Sequence, residues 1–262
     1  MTTRDFSSRG HTLLEMTIAL ALGMLIVTAS LSLYRGQRAA FDRAADAARM
    51  HDAASTALDM LGQQLQMAGF APGSDANMDA SIFGCAQGRV VGTESAASCE
   101  SLASHSDGLQ IRYAADVVST WPSSAGMPTD CIGQNVADAI VTNRFYAKAS
   151  SSTGEPELFC EGSGKQSQPI VEGIERLRVM VWRAGSPLAL DASAVAREGW
   201  RDVYAADICV LVRGFAVNAK RRTNYVDCNG SPAYADDGRA RQVFWRRVAI
   251  RNSPAMTSGG AQ

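Results

Sequence analysis

Proline is missing from the first 71 residues and occurs only eight times in 262. Nothing rigid therefore interrupts a helix that begins near the N-terminus before Pro72. Histidine is equally sparse. His11, His51 and His105 are the three present, and they share no ligand spacing. No CxxC pair occurs, which removes the close sulfur spacing that zinc ribbons and redox dithiols need. There is no GxSxG elbow, and Gly162-Ser163-Gly164-Lys165 lacks the first glycine and the final Ser/Thr of a phosphate loop. Asp75, Asn77 and Asp79 open like a calcium loop, but Ala80 stands where the turn glycine belongs and Ala86 where the bidentate glutamate belongs. Glu155, Glu157 and Glu161 gather around a turn, the usual setting of solvated acids. No catalytic set, cofactor or metal site follows from these residues, and the chain reads as a non-enzyme. With 25 basic against 26 acidic residues and one short basic run, Lys220-Arg221-Arg222, no nucleic-acid partner is expected.

What the chain does have is a long apolar run. From Leu13 to Leu33 only Glu15 is ionisable. At 1.5 Å rise per residue this stretch is roughly 30 Å long, the thickness of a bilayer's hydrocarbon core. Three ordinary readings compete for it. A secretory signal peptide could be cut after Val27-Thr28-Ala29, but its apolar stretch would not carry an acid. A core helix of a soluble protein is disfavoured by about 20 nearly uncharged residues so close to the N-terminus, and a plain single-span anchor leaves Glu15 unexplained. A carboxylate in an apolar segment costs up to about 2.5–3.5 kcal/mol at mid-helix and less near the end, so Glu15 implies a partner.

Arg9-Gly10-His11-Thr12-Leu13-Leu14-Glu15, followed at once by the apolar run, resembles the N-terminus of type IV pilins. The resemblance implies a leader of residues 1–10 and cleavage between Gly10 and His11 by a membrane-embedded prepilin peptidase. It further implies N-methylation of His11 and retention of the apolar run as an assembly helix. The family usually begins its mature chain with phenylalanine or methionine, so His11 is a departure that bears mainly on methylation. Glu15 falls at the fifth mature position, where the family keeps a glutamate. Paired with the amino terminus of a neighbouring subunit, it would set the axial register between stacked helices. Loss of the leader, with Arg4, Asp5 and Arg9, takes the net charge from −1 to −2.

Beyond the run, Met50, Ala54, Ala57, Leu58, Leu61, Leu65 and Ala68 recur at three- and four-residue spacing, with Arg43, Asp46, Arg49, Asp52 and Asp59 off that stripe. One long helix is expected, with 11–34 as its transmembrane and assembly half and 35–69 as its amphipathic half. Gly69-Phe70-Ala71-Pro72 ends it. Gly23, Ser30, Ser32 and Gly36 are weak helix points, where the resemblance implies local melting in the filament. Simple tolerance of small residues in a membrane helix is the other reading.

Residues 70–252 form a β-rich head, followed by a tail at 253–262. A long loop is expected from Pro72 to Asp107. Strand patterns occupy Leu109–Tyr113, Ala139–Ala147, Glu157–Cys160, Leu177–Trp182, Asp207–Arg213 and Gln242–Arg251. Asp191 to Trp200 reads as a short helix. The expected fold is α+β and pilin-like: a long N-terminal helix whose stripe covers an antiparallel sheet with disulfide-pinned loops. Cys85, Cys99, Cys131, Cys160, Cys209 and Cys228 are even in number and widely spaced, as disulfides in an oxidising compartment would be. Fifteen connectivities are open, of which neighbours in order would each close a local loop. Of Trp121, Trp182, Trp200 and Trp245, most are expected in the core.

Asp107–Tyr113, Asp130-Cys131, Asn143–Tyr146, Leu158–Cys160, Gln168–Ile174 and Phe244–Asn252 together resemble the PilW type of minor pilin. That resemblance favours pairing Cys131 with Cys160. It implies a low-abundance structural subunit that helps initiate the type IV pilus and sits at or near its tip. Its partners would be other minor pilins, the major pilin and a large tip adhesin. It would be held in the inner membrane with a periplasmic head before moving to the cell surface. A pseudopilin of type II secretion shares the leader, anchor and helix-on-sheet plan. A binding module using the pinned loops is the alternative from another class.

Overall fold

The computed structural model describes residues 10, 12–72, 80–93, 96–116, 119–164, 166–216 and 222–253. The rest of the leader, His11, the calcium-like segment Asp75–Asp79, Lys220-Arg221 and the tail beyond Ser253 lie outside the described residues. The chain divides into two compact units, one up to Asp46 and the other from Ala47 onward.

Helix α1, Leu13–Met67, runs unbroken for 55 residues and crosses the dividing point. It passes through Gly23, Ser30, Ser32 and Gly36 without interruption. The hydroxyls of this half turn back onto its own carbonyls, Ser30 onto Ile26 at 2.8 Å and Ser32 onto Ala29 at 2.8 Å, so they ask nothing of the surroundings. At the other end Gly69 takes a left-handed φ of +75°, as a residue without Cβ can, and the helix stops. The Asn252 side-chain amide donates to the Ala68 carbonyl at 3.2 Å, tying the C-terminal end of the described chain to the helix terminus.

Among the described residues the head has thirteen strands in chain order. β1 is Ile82–Cys85, β2 Gly88–Val91, β3 Ser98–Ser101, β4 Gly108–Ala114, β5 Ile140–Ala149, β6 Pro156–Glu161 and β7 Ser167–Glu172. β8 is Ile174–Arg183, β9 Leu190–Asp191, β10 Val203–Ala216, β11 Thr223–Val226, β12 Pro232–Ala235 and β13 Arg239–Ala249. They pair antiparallel as a five-stranded sheet in the order β1-β4-β5-β6-β7 and a four-stranded sheet in the order β13-β10-β8-β9. Two hairpins stand apart, β2-β3 and β11-β12. The structure thus replaces the expected single sheet by two.

The two sheets share a chain segment. β7 and β8 are separated only by Gly173, at φ +83°. Its N–H donates to the Pro156 carbonyl beside the first sheet, and its carbonyl accepts from the Arg213 N–H beside the second, both at 2.8 Å. A second seam lies at Ser106-Asp107. The Ser106 hydroxyl accepts from the N–H groups of Ala147 at 3.2 Å and Leu177 at 3.0 Å, one from each sheet. Asp107 accepts from the N–H groups of Gln87 at 2.8 Å and Val179 at 2.9 Å. Backbone donors that the ladders leave unpaired are satisfied there.

The core is one apolar cluster between α1 and these sheets. Met50, Ala54, Ala57, Leu58, Leu61, Leu65 and Ala68, the seven stripe residues, are all buried in it. Facing them are Ile82, Leu109 and Ile111 of the first sheet and Val179, Ile208, Val210 and Val248 of the second. Burying each leucine contributes roughly 1.5–3 kcal/mol.

Several expectations need correction. The stretch from Pro72 to Asp107 carries β1, β2 and β3 rather than one loop. These strands are four residues each and rich in glycine, serine and cysteine, which hides the period-two signal. Asp191–Trp200 holds two short 3-10 segments, Ala192–Ala194 and Arg197–Asp202. Of the tryptophans only Trp200 is fully buried, while Trp121 is 85% and Trp245 49% exposed.

Leu61→Ala removes a fully buried side chain from the centre of the helix contact. It is expected to cost about 2–5 kcal/mol, read from urea unfolding of the full chain in detergent.

Candidate assembly interface

The first turn of α1 is closed by its own side chains. Glu15 Oε2 accepts from the Thr12 N–H at 2.9 Å and from the Thr12 hydroxyl at 3.1 Å, and the Glu15 N–H donates back to Thr12 Oγ1 at 3.3 Å. This is a capping box, in which residues three apart satisfy each other's orphan donors. The Thr-x-x-Glu signal at 12–15 is present in the sequence and was not used there as a cap. It gives Glu15 a role inside its own helix, beside any role between subunits. Gly10 is exposed with open space around it. His11, the expected first mature and methylated residue, lies outside the described residues.

After the cap comes an apolar surface with no cover. Leu13, Leu14, Met16, Ile18, Leu20, Leu22, Leu25 and Leu33 are each more than half exposed. An 18-residue window reaches a mean hydropathy of 2.1 with none of it buried. By length and composition this helix can cross a membrane. The core-helix reading does not hold for this half, because its apolar side chains enter no core.

In the head the remaining half of α1 is fixed by polar contacts as well as by its stripe. Asn143 Nδ2 donates to Gln64 Oε1 at 2.8 Å and lies 3.0 Å from the Tyr113 hydroxyl, which itself donates to Gln64 at 3.1 Å. Asn143 Oδ1 accepts from the Cys131 N–H at 3.1 Å. Helix, first sheet and a disulfide loop therefore meet in one satisfied buried network, which permits one register of α1 on the sheet. Burial raises the Tyr113 pKa.

The structure brings the six cysteines together as Cys85–Cys99, Cys131–Cys160 and Cys209–Cys228, with Cα separations of 5.6, 6.4 and 5.9 Å. They join β1 to β3, the loop after Asp130 to β6, and β10 to the turn of the β11-β12 hairpin. Each pin contributes on the order of 2–4 kcal/mol.

The acids expected to be solvated around a turn are only partly so: Glu157 and Glu161 are buried in β6, and Glu155 alone keeps an exposed side chain. Glu155 is shared by Arg239 and Arg213, and Glu161 is held by Arg144 at 2.8 Å. Glu157 stands across from Lys148 and Glu172 in the sheet. Among the described residues no group of three His, Cys, Asp or Glu could hold a metal ion.

Comparison with known proteins finds a match within the head. Residues 144–252 match the family model PilW, described as type IV pilus-assembly protein W. The matched stretch runs from β5 to the Asn252 that ties onto α1, and it contains none of the N-terminal run. The likeness to type IV pilus-assembly proteins found by that model therefore lies within the head. None of the curated proteins compared matches the chain. Among solved structures, a type IV-like pilin from Thermus thermophilus aligns with 16% identity and a TM-score of 0.40, covering 78% of this chain and 98% of its own.

Ion pairs on the second sheet set the acid response of the head. Arg247 beside Asp207 and Arg241 beside Asp237 hold those carboxyls below the usual range, and Arg239 does so for Glu155. Burial pushes Asp107 the other way, against its backbone donors and Arg178. Groups with lowered pKa values stabilise the fold above the ordinary carboxylate range and lose that contribution as pH falls. A raised one does the reverse. With Asp191, also lowered, four carboxyls stand against one raised, so the thermal midpoint is expected to fall from about pH 5 to about pH 2. Asp207→Asn and Asp237→Asn should flatten that fall, and a midpoint that rises on acidification would contradict the assignment.

Proposed function

We propose that this chain is a minor pilin, a structural subunit that helps initiate assembly of the type IV pilus and sits at or near its tip. The observation that carries the reading is the conjunction of an uncovered apolar helix, capped by Thr12 and Glu15, with a head that matches the PilW model. In this reading the prepilin peptidase cuts between Gly10 and His11 and the amino group of His11 is methylated. Residues 11–34 hold the subunit in the inner membrane with the head in the periplasm. Other minor pilins, the major pilin and a large tip adhesin are then its partners, and twitching motility and adhesion the processes it serves.

Glu15 has two roles in this scheme. In the lone subunit its carboxylate closes the first helical turn. In the filament it faces the amino terminus of a neighbour, and the paired charges set the axial register. The two roles can be separated chemically. Glutamine at the third helical position also completes a capping box, so Glu15→Gln keeps the cap and removes the charge. Thr12→Val removes the capping hydroxyl and keeps the charge.

Glu15→Gln is expected to insert in the membrane normally and to be lost from sheared filaments, whereas Thr12→Val is expected to be retained. Equal retention of both would refute the register role. Peptide mapping of the filament fraction should find His11 as the first residue. A chain beginning near Ser30 would refute the pilin reading altogether. Deletion that stops protein export and leaves pili intact would point instead to type II secretion.

A further inference from the structure

The head has an open groove of about 1100 Å³ between α1 and the loop that follows β4. One wall is a stripe of the helix, Thr56, Met60, Gln63 and Met67, and the other is Ser119 through Pro122. Over it stands Trp121, 85% exposed, the most exposed aromatic side chain of the described head.

This indole is not on a loose strap. The Ser119 hydroxyl donates to the Ala114 carbonyl and the Thr120 hydroxyl to the Asp116 carbonyl, both at 2.6 Å. The Trp121 carbonyl accepts from the Thr129 hydroxyl. Thr129 is followed by Asp130, whose Oδ1 accepts from the Ile132 and Gln134 N–H groups at 3.0 Å. The next residue, Cys131, is fixed by its disulfide to Cys160. A large apolar face is thus held in solvent by hydrogen bonds on Ser119, Thr120 and Thr129, which lowers the entropic cost of binding something against it.

The lining is apolar at Met60, Met67 and Phe70, and its polar part is mainly amide and hydroxyl, since the Asp130 carboxylate is buried against Gly162 rather than open to the groove. Gln63, Gln66 and Thr56 border the groove, and their side chains have no hydrogen-bond partner among the described residues. Asp59 is neutralised by Arg246, which leaves Arg251 as the rim cation. The helical wall has its backbone groups bonded internally, so no peptide strand can be added along it. What remains for recognition is an aromatic face and side chains that both donate and accept. A neutral pyranose has matching parts, a C–H face for the negative face of an indole and a ring of hydroxyls for amides. The volume exceeds the ~300–1,000 Å³ of pockets that enclose one drug-sized ligand, which suits a short oligosaccharide.

The geometry points to a neutral-saccharide site in this groove, with Trp121 as the stacking platform and Gln63 and Gln66 reading hydroxyls. It stands on the head alone and does not depend on the pilus reading.

The full chain in a zwitterionic, sugar-free detergent is titrated with chito-, cello- and malto-oligosaccharides of up to six units, by calorimetry and tryptophan fluorescence. Saturable binding of at least one series is expected. Trp121→Ala should weaken it about tenfold or more and Gln63→Ala several-fold, with thermal unfolding unchanged in both. Absence of binding by all three series up to about 10 mM overturns the proposal, as does binding that Trp121→Ala leaves intact. If assembled filaments protect Trp121 from acrylamide quenching and none of the sugars does, the groove is a protein interface and the proposal falls.

Discussion

The head depends on the burial of one helix face. Met50, Ala54, Ala57, Leu58, Leu61, Leu65 and Ala68 supply apolar cover for strands from two separate sheets, and the two 3-10 segments add Ala192, Val195 and Trp200 to it. The alanines let the strands approach closely, and the leucines fill the space between them. Gln64 is set beside this stripe and bonded to Tyr113 and Asn143, so the contact is specified by position as well as by hydrophobicity. The sheet edges that the helix does not touch are handled by local chemistry, with Ser106 and Asp107 accepting from otherwise unpaired strand N–H groups.

The same helix is written in two compositions, and each suits a different surrounding. Up to Leu33 its side chains are apolar on every side and exposed. From Met50 they are apolar on one stripe and polar elsewhere. Thr12 and Glu15 satisfy the first turn, and the serine and threonine hydroxyls satisfy themselves, so the apolar half presents no unbonded polar group of its own making. The charge of Glu15 is the one feature of this segment that an apolar surrounding leaves to be matched by a partner.

Much of this was legible in the sequence because it rests on period. The helical stripe was readable residue by residue, and the six longer strand patterns fall within β4, β5, β6, β8, β10 and β13, apart from the extreme ends of two of them. The short strands β1 to β3 were not, since four residues dominated by Gly, Ser and Cys offer no alternation to count. Nor was the division into two sheets, which turns on one glycine between β7 and β8 and on long-range bonds from Ser106. Glu15 stood out because it is the only acid in its run, whereas its local partner Thr12 looked like any other residue ahead of a helix. The exposure of Trp121 was hidden for a related reason: composition says that tryptophan is large and apolar, and only the hydrogen bonds of Ser119, Thr120 and Thr129 hold this one outside.

The link at Gly173 has a mechanical implication. A strand that leaves one sheet and enters the next without a loop gives the two sheets no slack between them, and its amide and carbonyl engage a different sheet each. Peeling either ladder therefore strips hydrogen bonds from the other, so the head has no weak joint along which half could open while half survives. Such a domain is expected to unfold in one cooperative step.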